Sequence, residues 1–478
     1  MSTSSESLEP AVAAQPVHFV SMYQKRTKIY ARSVRGLYAR LRWAIVALTQ
    51  SVFFGLPWLD WNGRQAVLFD LDAPRFYIFG LVLQPQDLIF LAALLVIAAL
   101  ALFFFTALAG RLWCGYSCPQ TVYSEIFQWI ELKTEGDRHA RIKLDKQPWS
   151  AAKIARKSAK HALWLLVALA AGFTLVGYFV PIRGLAPHLA QAGIASWPAF
   201  WVLFYGGMMY GHAGWLREQI CNYMCPYARI QSTLIDGDSL VIAYDGARGD
   251  PRGARPRRTD PASVGLGSCT DCTLCVQVCP AGIDIRNGLQ NECIGCAACI
   301  DACDDVMRKM DYPTGLIRYA TSNGVAQGLG KAEMLRRVLR PRVLIYGALL
   351  SAAGTAFAVG LAMRSPVGMD VIRDRGVMAR LGEDGRVQNL YRVQLMNRTE
   401  RTTRYELGVE GLPGLVVDGS RVFEVPPGEV RPFTLRLALP AEAAQSLTPG
   451  AQPVTLTLTE QGQTSAALRE HSTFLVPR

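Results

Sequence analysis

Two neighbouring stretches of the chain decide the fold of its central part. Residues 268–280 read SCTDCTLCVQVCP, and residues 292–304 read ECIGCAACIDACD. In each stretch four cysteines are separated by two, two and three residues, and a proline follows the last cysteine of the first stretch. Thiols two residues apart on a tight turn can converge on one [4Fe–4S] cubane, while the fourth cysteine of each stretch reaches a second cubane. The spacing therefore predicts two clusters in one α+β domain of the bacterial ferredoxin type.

This interlocked arrangement divides the eight cysteines into two ligand sets. The first set is Cys269, Cys272, Cys275 and Cys303, and the second set is Cys293, Cys296, Cys299 and Cys279. Zinc is the competing interpretation, but zinc favours two separate C-x2-C pairs and closed tetrahedral coordination. Eight cysteines in this doubled order fit zinc poorly. We therefore expect two [4Fe–4S] clusters and an electron-transfer role.

The other four cysteines form two Cys-x3-Cys-Pro pairs. The pairs are Cys114 and Cys118 before Pro119, and Cys221 and Cys225 before Pro226. Cysteines four residues apart on a helix share one face, so each pair is expected to present two thiols together. Four such thiols could bind a soft metal such as Cu(I), hold a further cluster or act as a dithiol shuttle. Two buried structural pairs are the alternative, because free cysteine often packs as a small hydrophobe.

Histidines near the predicted cytoplasmic ends of spans, and methionines close to them, are weaker candidates for metal ligands. They are His161, His212, Met208, Met209 and Met224. Each could assist a copper or haem site, but single side chains of these types at the ends of apolar helices more often pack or lie at an interface. We therefore expect packing roles for them.

The composition indicates a membrane protein. The 478 residues are 50% hydrophobic and only 18% charged, a balance opposite to that of disordered chains. Five apolar runs approach the roughly 20 residues that a transmembrane helix needs. These predicted spans cover residues 43–59, 88–109, 162–180, 197–215 and 343–363. We expect a multi-domain protein with a five-span α-helical membrane part.

Basic residues mark one side of these spans. They crowd the segment before the first span, the loop between the second and third spans and the segment before the fifth. The positive-inside rule then places the N-terminus and all the cysteines in the cytoplasm and the C-terminal domain in the periplasm of a bacterial inner membrane. Free thiols also persist most easily on a reducing side. The net charge of +12 lies beside the spans, which argues against nucleic acid as a partner.

The tail alternates between apolar and polar side chains. Period two is clearest around Tyr391, Tyr405, Phe433 and Val454, and it predicts antiparallel strands in an all-β sandwich of the immunoglobulin type. The N-terminus shows no secretory signal pattern. The predicted domains are a basic N-terminal segment (1–41), a four-span membrane domain (42–235), a ferredoxin-type domain (236–330), a fifth transmembrane helix (341–364) and the periplasmic sandwich (365–478).

Taken together, these motifs resemble the FixG/CcoG family, accessory proteins for the assembly of cbb3-type cytochrome c oxidase. The likeness rests on residues 115–121 (GYSCPQT), 221–226 (CNYMCP), 279–290, 292–304 and 315–319 (GLIRY). The resemblance implies a cupric reductase that forms Cu(I) from Cu(II) at the cytoplasmic face. The two ferredoxin-type sets would pass electrons, and Cys114, Cys118, Cys221 and Cys225 would meet the copper. Oxidase subunits, or a copper transporter or chaperone, would be the partners, with an unidentified electron donor.

Two other functions stay open. The protein could be an electron conduit between a cytoplasmic donor and the quinone pool or another respiratory enzyme. It could also be a redox-sensing assembly scaffold whose sandwich docks an oxidase subunit. No C-x2-C-H haem motif occurs in the chain, which argues against a conduit to the outer side. No nucleotide or flavin fingerprint identifies the donor.

Overall fold

The structure is a computed structural model that describes residues 28–193, 195–374, 379–382, 385–462 and 468–477. The first 27 residues of the predicted basic N-terminal segment therefore lie outside the described residues. The described chain forms a helical part, a small α+β unit and a C-terminal β-sandwich.

The helical part contains the two Cys-x3-Cys-Pro pairs. Its helices are α1 (Leu37–Gly55), α2 (Leu88–Ala109), α3 (Leu112–Tyr116), α4 (Pro119–Thr134), α5 (Arg138–Lys146), α6 (Ala151–Val176), α7 (Ile182–Ala192), α8 (Trp197–Met209) and α9 (Pro226–Leu234). Helix α6 packs along α8 and against α4. Phe127, Trp164 and Ala168 are buried where α4 and α6 meet. This core holds α4, the helix that follows the first cysteine pair, against a helix of membrane-spanning length.

Three helices of the described chain are long and apolar enough to cross a membrane. They are Pro85–Ala109, Ala151–Val176 and Pro341–Ala362, which overlap the second, third and fifth predicted spans. Most of the first predicted span lies in α1, which begins at Leu37, includes Arg40 and Arg42 and ends at Gly55. The fourth lies in α8, which ends at Met209 and passes into a π-helical segment, Tyr210–Leu216. The structure thus supports three of the five spans, and the other two stay predictions.

Short strands that the sequence analysis did not predict lie between α1 and α2. They are β1 (Asp60–Trp61), β2 (Arg64–Gln65), β3 (Val67–Asp70), β4 (Arg75–Ile78) and β5 (Leu81–Leu83). Strand β1 pairs with β2, and β3, β4 and β5 form an antiparallel sheet. Strands of two to four residues are too short for period-two alternation to reveal them. This segment contacts the C-terminal sandwich, where Glu400 accepts hydrogen bonds from Trp61 (3.1 Å) and Arg64 (3.2 Å).

The α+β unit carries the two ferredoxin-type cysteine runs. Its elements are β6 (Val241–Tyr244), α10 (Gly246–Gly249), α11 (Leu274–Gln277), α12 (Ala298–Met310), β7 (Ile317–Ala320), α13 (Ser322–Ala326) and α14 (Lys331–Val338), and α15 (Pro341–Ala362) follows it. Strands β6 and β7 pair antiparallel, with Val241 opposite Ala320. Ile242, Met307 and Ile317 are buried in the same core as several of the cysteines. The sheet joins the chain before the first run to the chain after the second and so closes the unit around the cysteines.

The C-terminal sandwich consists of two antiparallel sheets. Its elements are β8 (Val367–Arg373), β9 (Arg380–Leu381), β10 (Val387–Asn397), β11 (Thr403–Glu410), β12 (Val416–Asp418), β13 (Val422–Val425), β14 (Val430–Leu439), α16 (Ala441–Gln445), β15 (Gly450–Glu460) and β16 (Leu468–Val476). One sheet has the order β12-β14-β10-β8 with β9 on β10, and the other has the order β13-β11-β15-β16. Leu395, Leu407, Leu437 and Leu456 are fully buried between them. The predicted all-β sandwich is confirmed.

Candidate iron–sulfur and thiol sites

The first cysteine set lines one small cavity of the α+β unit. The residues facing this cavity include Cys269, Cys272, Cys275, Cys303 and Tyr244. Cys275 lies in α11, whereas Cys303 comes from α12. Cys272 is exposed to solvent. The structure therefore brings the first set together at the surface of the unit.

The second cysteine set lines an adjoining cavity. The cysteines facing it are Cys279, Cys293, Cys296 and Cys299, and Cys275 of the first set also borders it. Backbone N–H groups of residues 281–283 donate hydrogen bonds to the Cys279 sulfur. Burial raises the pKa of Cys293 to about 12 and that of Cys299 well above the usual value. Each fourth cysteine thus lies with three cysteines of the other run.

The two cysteine loops share an unusual backbone conformation. Positive φ angles flank the middle cysteine of each loop, at Asp271 (53°), Thr273 (56°), Gly295 (72°) and Ala297 (58°). Non-glycine residues seldom adopt this left-handed region. Left-handed residues in a loop can turn successive backbone N–H groups to one side, which suits an anionic iron–sulfur cluster. The same left-handed positions therefore recur at both sets.

The chemistry of both cavities fits iron–sulfur clusters. Each brings together four cysteine sulfurs, the donor atoms that such clusters use. Within the described part of the chain, no group of three or more His, Cys, Asp or Glu side chains converges on a single metal ion. A [4Fe–4S] cubane distributes four cysteines over four iron atoms, so its ligands stand apart. The arrangement suits a cubane better than a tetrahedral zinc ion.

The two Cys-x3-Cys-Pro pairs lie at breaks between helices. Cys114 lies in α3, but Cys118 is extended (φ −60°, ψ 128°) and precedes α4. Cys221 lies in a second π-helical segment, Ile220–Met224, and Cys225 is extended (φ −79°, ψ 111°) before α9. The prediction that each pair shares one helix face was wrong, because proline disfavours the helical conformation in the residue before it. Each proline instead occupies the first position of a new helix.

Hydrogen bonds that involve two glutamines, one as acceptor and one as donor, hold the pairs together. The Cys114 thiol donates to Oε1 of Gln231 in α9, at 3.3 Å. Gln120 of α4 donates to the carbonyl oxygens of His212 (3.0 Å) and Arg217 (3.2 Å). The first pair is thus bonded to the chain on both sides of the second pair.

A buried ion pair fixes the same arrangement. Glu131 of α4 accepts hydrogen bonds from Arg217 (2.7 Å) and Arg141 (2.6 Å). Burial disfavours ionisation of Glu131, but the two guanidinium groups outweigh it and hold the pKa of this carboxyl below its usual value. The charged Glu131 therefore ties α4 to the segment that leads into the second pair.

The four cysteines of these pairs, which we call the four-thiol group, lie close enough together for ionisation of one thiol to raise the pKa of another. Burial raises the pKa of Cys114 to about 12, and Cys118 and Cys221 add to the effect. Burial also raises the pKa of Cys221 to about 11, with contributions from Cys118 and Cys225. All four are partly exposed. Cys114 and Cys221 are therefore neutral near pH 7, and a soft metal would displace their protons.

The neighbouring histidines and methionines take packing or surface positions. The His161 ring lies among aromatic side chains, and its Nδ1 is 2.9 Å from the Tyr210 hydroxyl. Met209 packs against this core, whereas Met208 and Met224 are exposed. The positions of His161 and Met209 agree with the expected packing roles, whereas Met208 and Met224 do not pack in a core of the described chain.

Several polar residues that surround the sites escaped the sequence analysis. Gln231 contacts Cys114, and Asp301 accepts hydrogen bonds from the backbone N–H groups of Tyr38 (3.2 Å) and Ala39 (2.7 Å) at the start of α1. One signal was available, because Gln120 follows the first pair directly after its proline. Gln231 and Asp301 belong to no local sequence pattern, because their hydrogen-bond partners are far away in the chain.

Comparison with protein families defines the class of protein. The matching families are described as a 4Fe-4S dicluster domain (residues 216–322), a 4Fe-4S binding domain (residues 91–135) and an IG-like fold at the C-terminal of FixG (residues 357–477). The first match contains both ferredoxin-type sets and the second Cys-x3-Cys-Pro pair. With its membrane-length helices, the chain is a membrane-associated, ferredoxin-type iron–sulfur protein.

Curated relatives narrow the class to a family. Nitrogen fixation protein FixG of Rhizobium meliloti (strain 1021) is 37% identical over 467 residues, which cover 88% of each chain. Protein RdxA of Cereibacter sphaeroides is 37% identical over 451 residues, 92% of this chain and 93% of the relative. The solved structure of a FixG-related protein from Vibrio parahaemolyticus covers 23% of this chain and 97% of its own, with 28% identity and a TM-score of 0.21. The chain belongs to the FixG family and is an iron–sulfur electron-transfer protein of the FixG and RdxA type.

Proposed function

We propose that this protein reduces Cu(II) to Cu(I) at the four-thiol group, for the maturation of a cbb3-type cytochrome c oxidase. The observation that carries the proposal is the meeting of the two Cys-x3-Cys-Pro pairs, joined through Gln231 and Gln120. The first and second cysteine sets would each hold a [4Fe–4S] cluster, and these clusters would supply single low-potential electrons.

Thiol ligands favour the reduced metal. Soft sulfur donors select Cu(I), which raises the potential of bound copper and makes its one-electron reduction favourable. Cys114 and Cys221 carry protons in the metal-free protein, so copper binding would release them. Cu(II) gains one electron and becomes Cu(I), and no general acid or base is needed.

The proposal includes an orientation and partners. The α+β unit and the four-thiol group would face the cytoplasm of a bacterial inner membrane, with the sandwich in the periplasm. The Cu(I) product would pass to oxidase subunits, or to a copper transporter or chaperone. A low-potential one-electron carrier protein would supply the electrons.

The test compares the wild type with a Cys114→Ser/Cys118→Ser variant under anaerobic conditions. Both proteins are assayed for iron and sulfide, reduced with dithionite and freed of excess reductant. Cu(II) is then added, and cluster bleaching is followed together with the colour of a Cu(I) chelator. We expect about eight iron atoms per chain in both proteins. Rapid, stoichiometric Cu(I) formation is expected in the wild type only.

A control separates a dedicated copper site from incidental oxidation of exposed clusters. Met224→Leu changes an exposed sulfur side chain beside the second pair and should keep the wild-type rate. If the double variant reacts as fast as the wild type, copper reduction is incidental, and the conduit or scaffold function is favoured. About twelve iron atoms in the wild type and about eight in the variant would instead indicate a further cluster at the four-thiol group.

A further inference from the structure

Two glycines bring the second cysteine set against the four-thiol group. Gly115 follows Cys114 in α3, and Gly295 lies in the loop of the second set. A Cβ atom on Gly115 would lie 2.7 Å from the Gly295 carbonyl oxygen and 2.8 Å from its carbonyl carbon. Gly295 has φ +72°, and a Cβ atom there would lie 3.1 Å from the Arg111 carbonyl oxygen. The two backbones therefore touch at a point where neither residue can carry a side chain without strain.

Two tyrosines hold this contact in place. Tyr319 of β7 donates a hydrogen bond to the Gly295 carbonyl oxygen at 2.7 Å. Its hydroxyl also lies 3.1 Å from that of Tyr116, the residue after Gly115. Burial raises the pKa of Tyr319 above its usual value, so the hydroxyl stays protonated and able to donate. The bonds link β7, the second cysteine loop and α3.

Arg111 forms hydrogen bonds on both sides of this contact. Its guanidinium donates to the carbonyl oxygens of Ala228 in α9 (3.0 Å) and of Cys293 (3.5 Å). Ala228 follows the second Cys-x3-Cys-Pro pair, and Cys293 belongs to the second cysteine set. The hydrogen bonds of this one side chain therefore join the two sites.

The first cysteine set has different neighbours. Arg255 donates to the Cys269 carbonyl oxygen at 3.3 Å, and Tyr244 and Arg286 line the cavity of this set. These residues belong to the α+β unit itself, and Cys272 faces solvent. The second set is therefore the one that meets the four-thiol group.

We propose that the Gly115–Gly295 contact is the electron-transfer junction of this protein, where electrons leave the second cysteine set for copper at the four-thiol group. This inference rests on the proposed function. One electron crosses for each copper ion, Cu(II) becomes Cu(I), and a low-potential one-electron carrier protein replaces the electron. Gly115, Gly295 and Tyr319 are positioning residues, because they keep the two sites at contact distance and electron tunnelling slows steeply with distance.

The test uses the full chain with one residue changed at a time. Gly115→Ala crowds the junction, and Tyr319→Phe removes its hydrogen bonds without adding an atom. Gly172→Ala is the matched control, because a Cβ atom there would lie 2.6 Å from the Val202 carbonyl oxygen, inside the helical part. Each reduced protein is mixed separately with Cu(II) and with ferricyanide, which takes electrons from solvent-facing clusters. Iron content and cluster midpoint potentials are measured beforehand.

We expect Gly115→Ala to keep the iron content, midpoint potentials and ferricyanide rate of the wild type. It should form Cu(I) about tenfold more slowly, because a small displacement of reacting partners has a large effect on rate. Tyr319→Phe should be slowed less, and Gly172→Ala should keep the wild-type rate. Amide hydrogen exchange of residues 289–297 should rise in both junction variants, which is a readout independent of activity.

Two results would contradict the proposal that the Gly115–Gly295 contact is the electron-transfer junction. One is a wild-type rate of Cu(I) formation in Gly115→Ala, or in Tyr319→Phe if the glycine variant does not fold. The other is equal slowing in Gly172→Ala, which would indicate a general loss of packing. Failure of the proposed function looks different, because the wild type itself would then form no Cu(I) that depends on Cys114 and Cys118.

Discussion

The two ferredoxin-type cysteine sets have the same spacing along the chain but different positions in the molecule. The first set opens to solvent at Cys272. The second set lies against the helical part, where Arg42 of α1 donates to the Cys296 carbonyl oxygen at 2.6 Å. Gly115 of α3 touches the same loop at Gly295. One motif thus occurs twice, once at the surface and once at an internal contact.

This difference teaches that spacing specifies a ligand set but not its role. The potential of an iron–sulfur cluster depends on burial and hydrogen bonding, and these differ between the two sets. In the proposed function, the exposed set suits the acceptance of electrons from a carrier protein. The second set suits their delivery to the four-thiol group.

The largest expected effect comes from removing one ligand of each set. Cys299→Ala and Cys272→Ala should each lower the iron content from about eight to about four atoms per chain. Cys299→Ala should abolish Cu(I) formation, because the set beside the four-thiol group is lost. Cys272→Ala should still form Cu(I) once per reduced protein, because the set beside the four-thiol group is kept. Iron assays, electron paramagnetic resonance and the Cu(I) chelator measure these outcomes, and complete loss of Cu(I) formation in Cys272→Ala would remove the functional distinction between the sets.

An intermediate effect is expected at Asp301, which joins α12, the helix that carries Cys299 and Cys303, to α1. Its carboxylate accepts from the backbone N–H groups of Tyr38 and Ala39 and so caps α1 from another domain. Asp301→Ala should lower the free energy of unfolding by about 2 kcal/mol, since a cap is lost and buried donors are left unsatisfied. Denaturant unfolding in detergent measures this change.

A matched control for this prediction lies on the same helix. Asp305 pairs with Lys309 at an exposed i,i+4 position, at 2.6 Å. Asp305→Ala should cost only about 0.3–0.5 kcal/mol. Equal losses of unfolding free energy in Asp301→Ala and Asp305→Ala would mean that the contact with α1 adds no stability.

The smallest effect is expected where the sandwich meets the segment between α1 and α2. Glu400 accepts hydrogen bonds from Trp61 and Arg64 there, and its side chain is 31% exposed. Glu400→Ala should cost less than about 1 kcal/mol, because exposed ion pairs contribute little. Iron content and the rate of Cu(I) formation should stay at wild-type values. Loss of iron from the second set alone would show that the sandwich influences that set at a distance.

Much of the fold could be predicted because its signals are local. Alternating side chains placed Tyr391 and Leu395 inside a strand of the sandwich, and both are buried in β10. Long apolar runs predicted the helices that became Pro85–Ala109 and Pro341–Ala362. The short strands β1 to β5 could not be predicted, because two to four residues carry no measurable periodicity.

The candidate sites were predictable in part for the same reason. Each predicted ferredoxin-type set lines one cavity, because cysteine spacing and loop geometry act over a few residues. The prediction that each Cys-x3-Cys-Pro pair shares one helix face was wrong. The prolines in the sequence were enough to predict the break in the helix. Pro119 and Pro226 exclude the preceding cysteine from a helix.

The sequence by itself determined the kinds of parts in this protein: two ferredoxin-type cysteine sets, two Cys-x3-Cys-Pro pairs, apolar helices and a β-sandwich. Only the tertiary structure decided that the second set, and not the first, touches the four-thiol group. The contacts responsible join residues far apart in the chain, such as Arg42 to the Cys296 carbonyl, 254 positions away, and Gly115 to Gly295. Ligand spacing and hydrophobic periodicity are local properties, whereas these contacts exist only after distant segments have packed together.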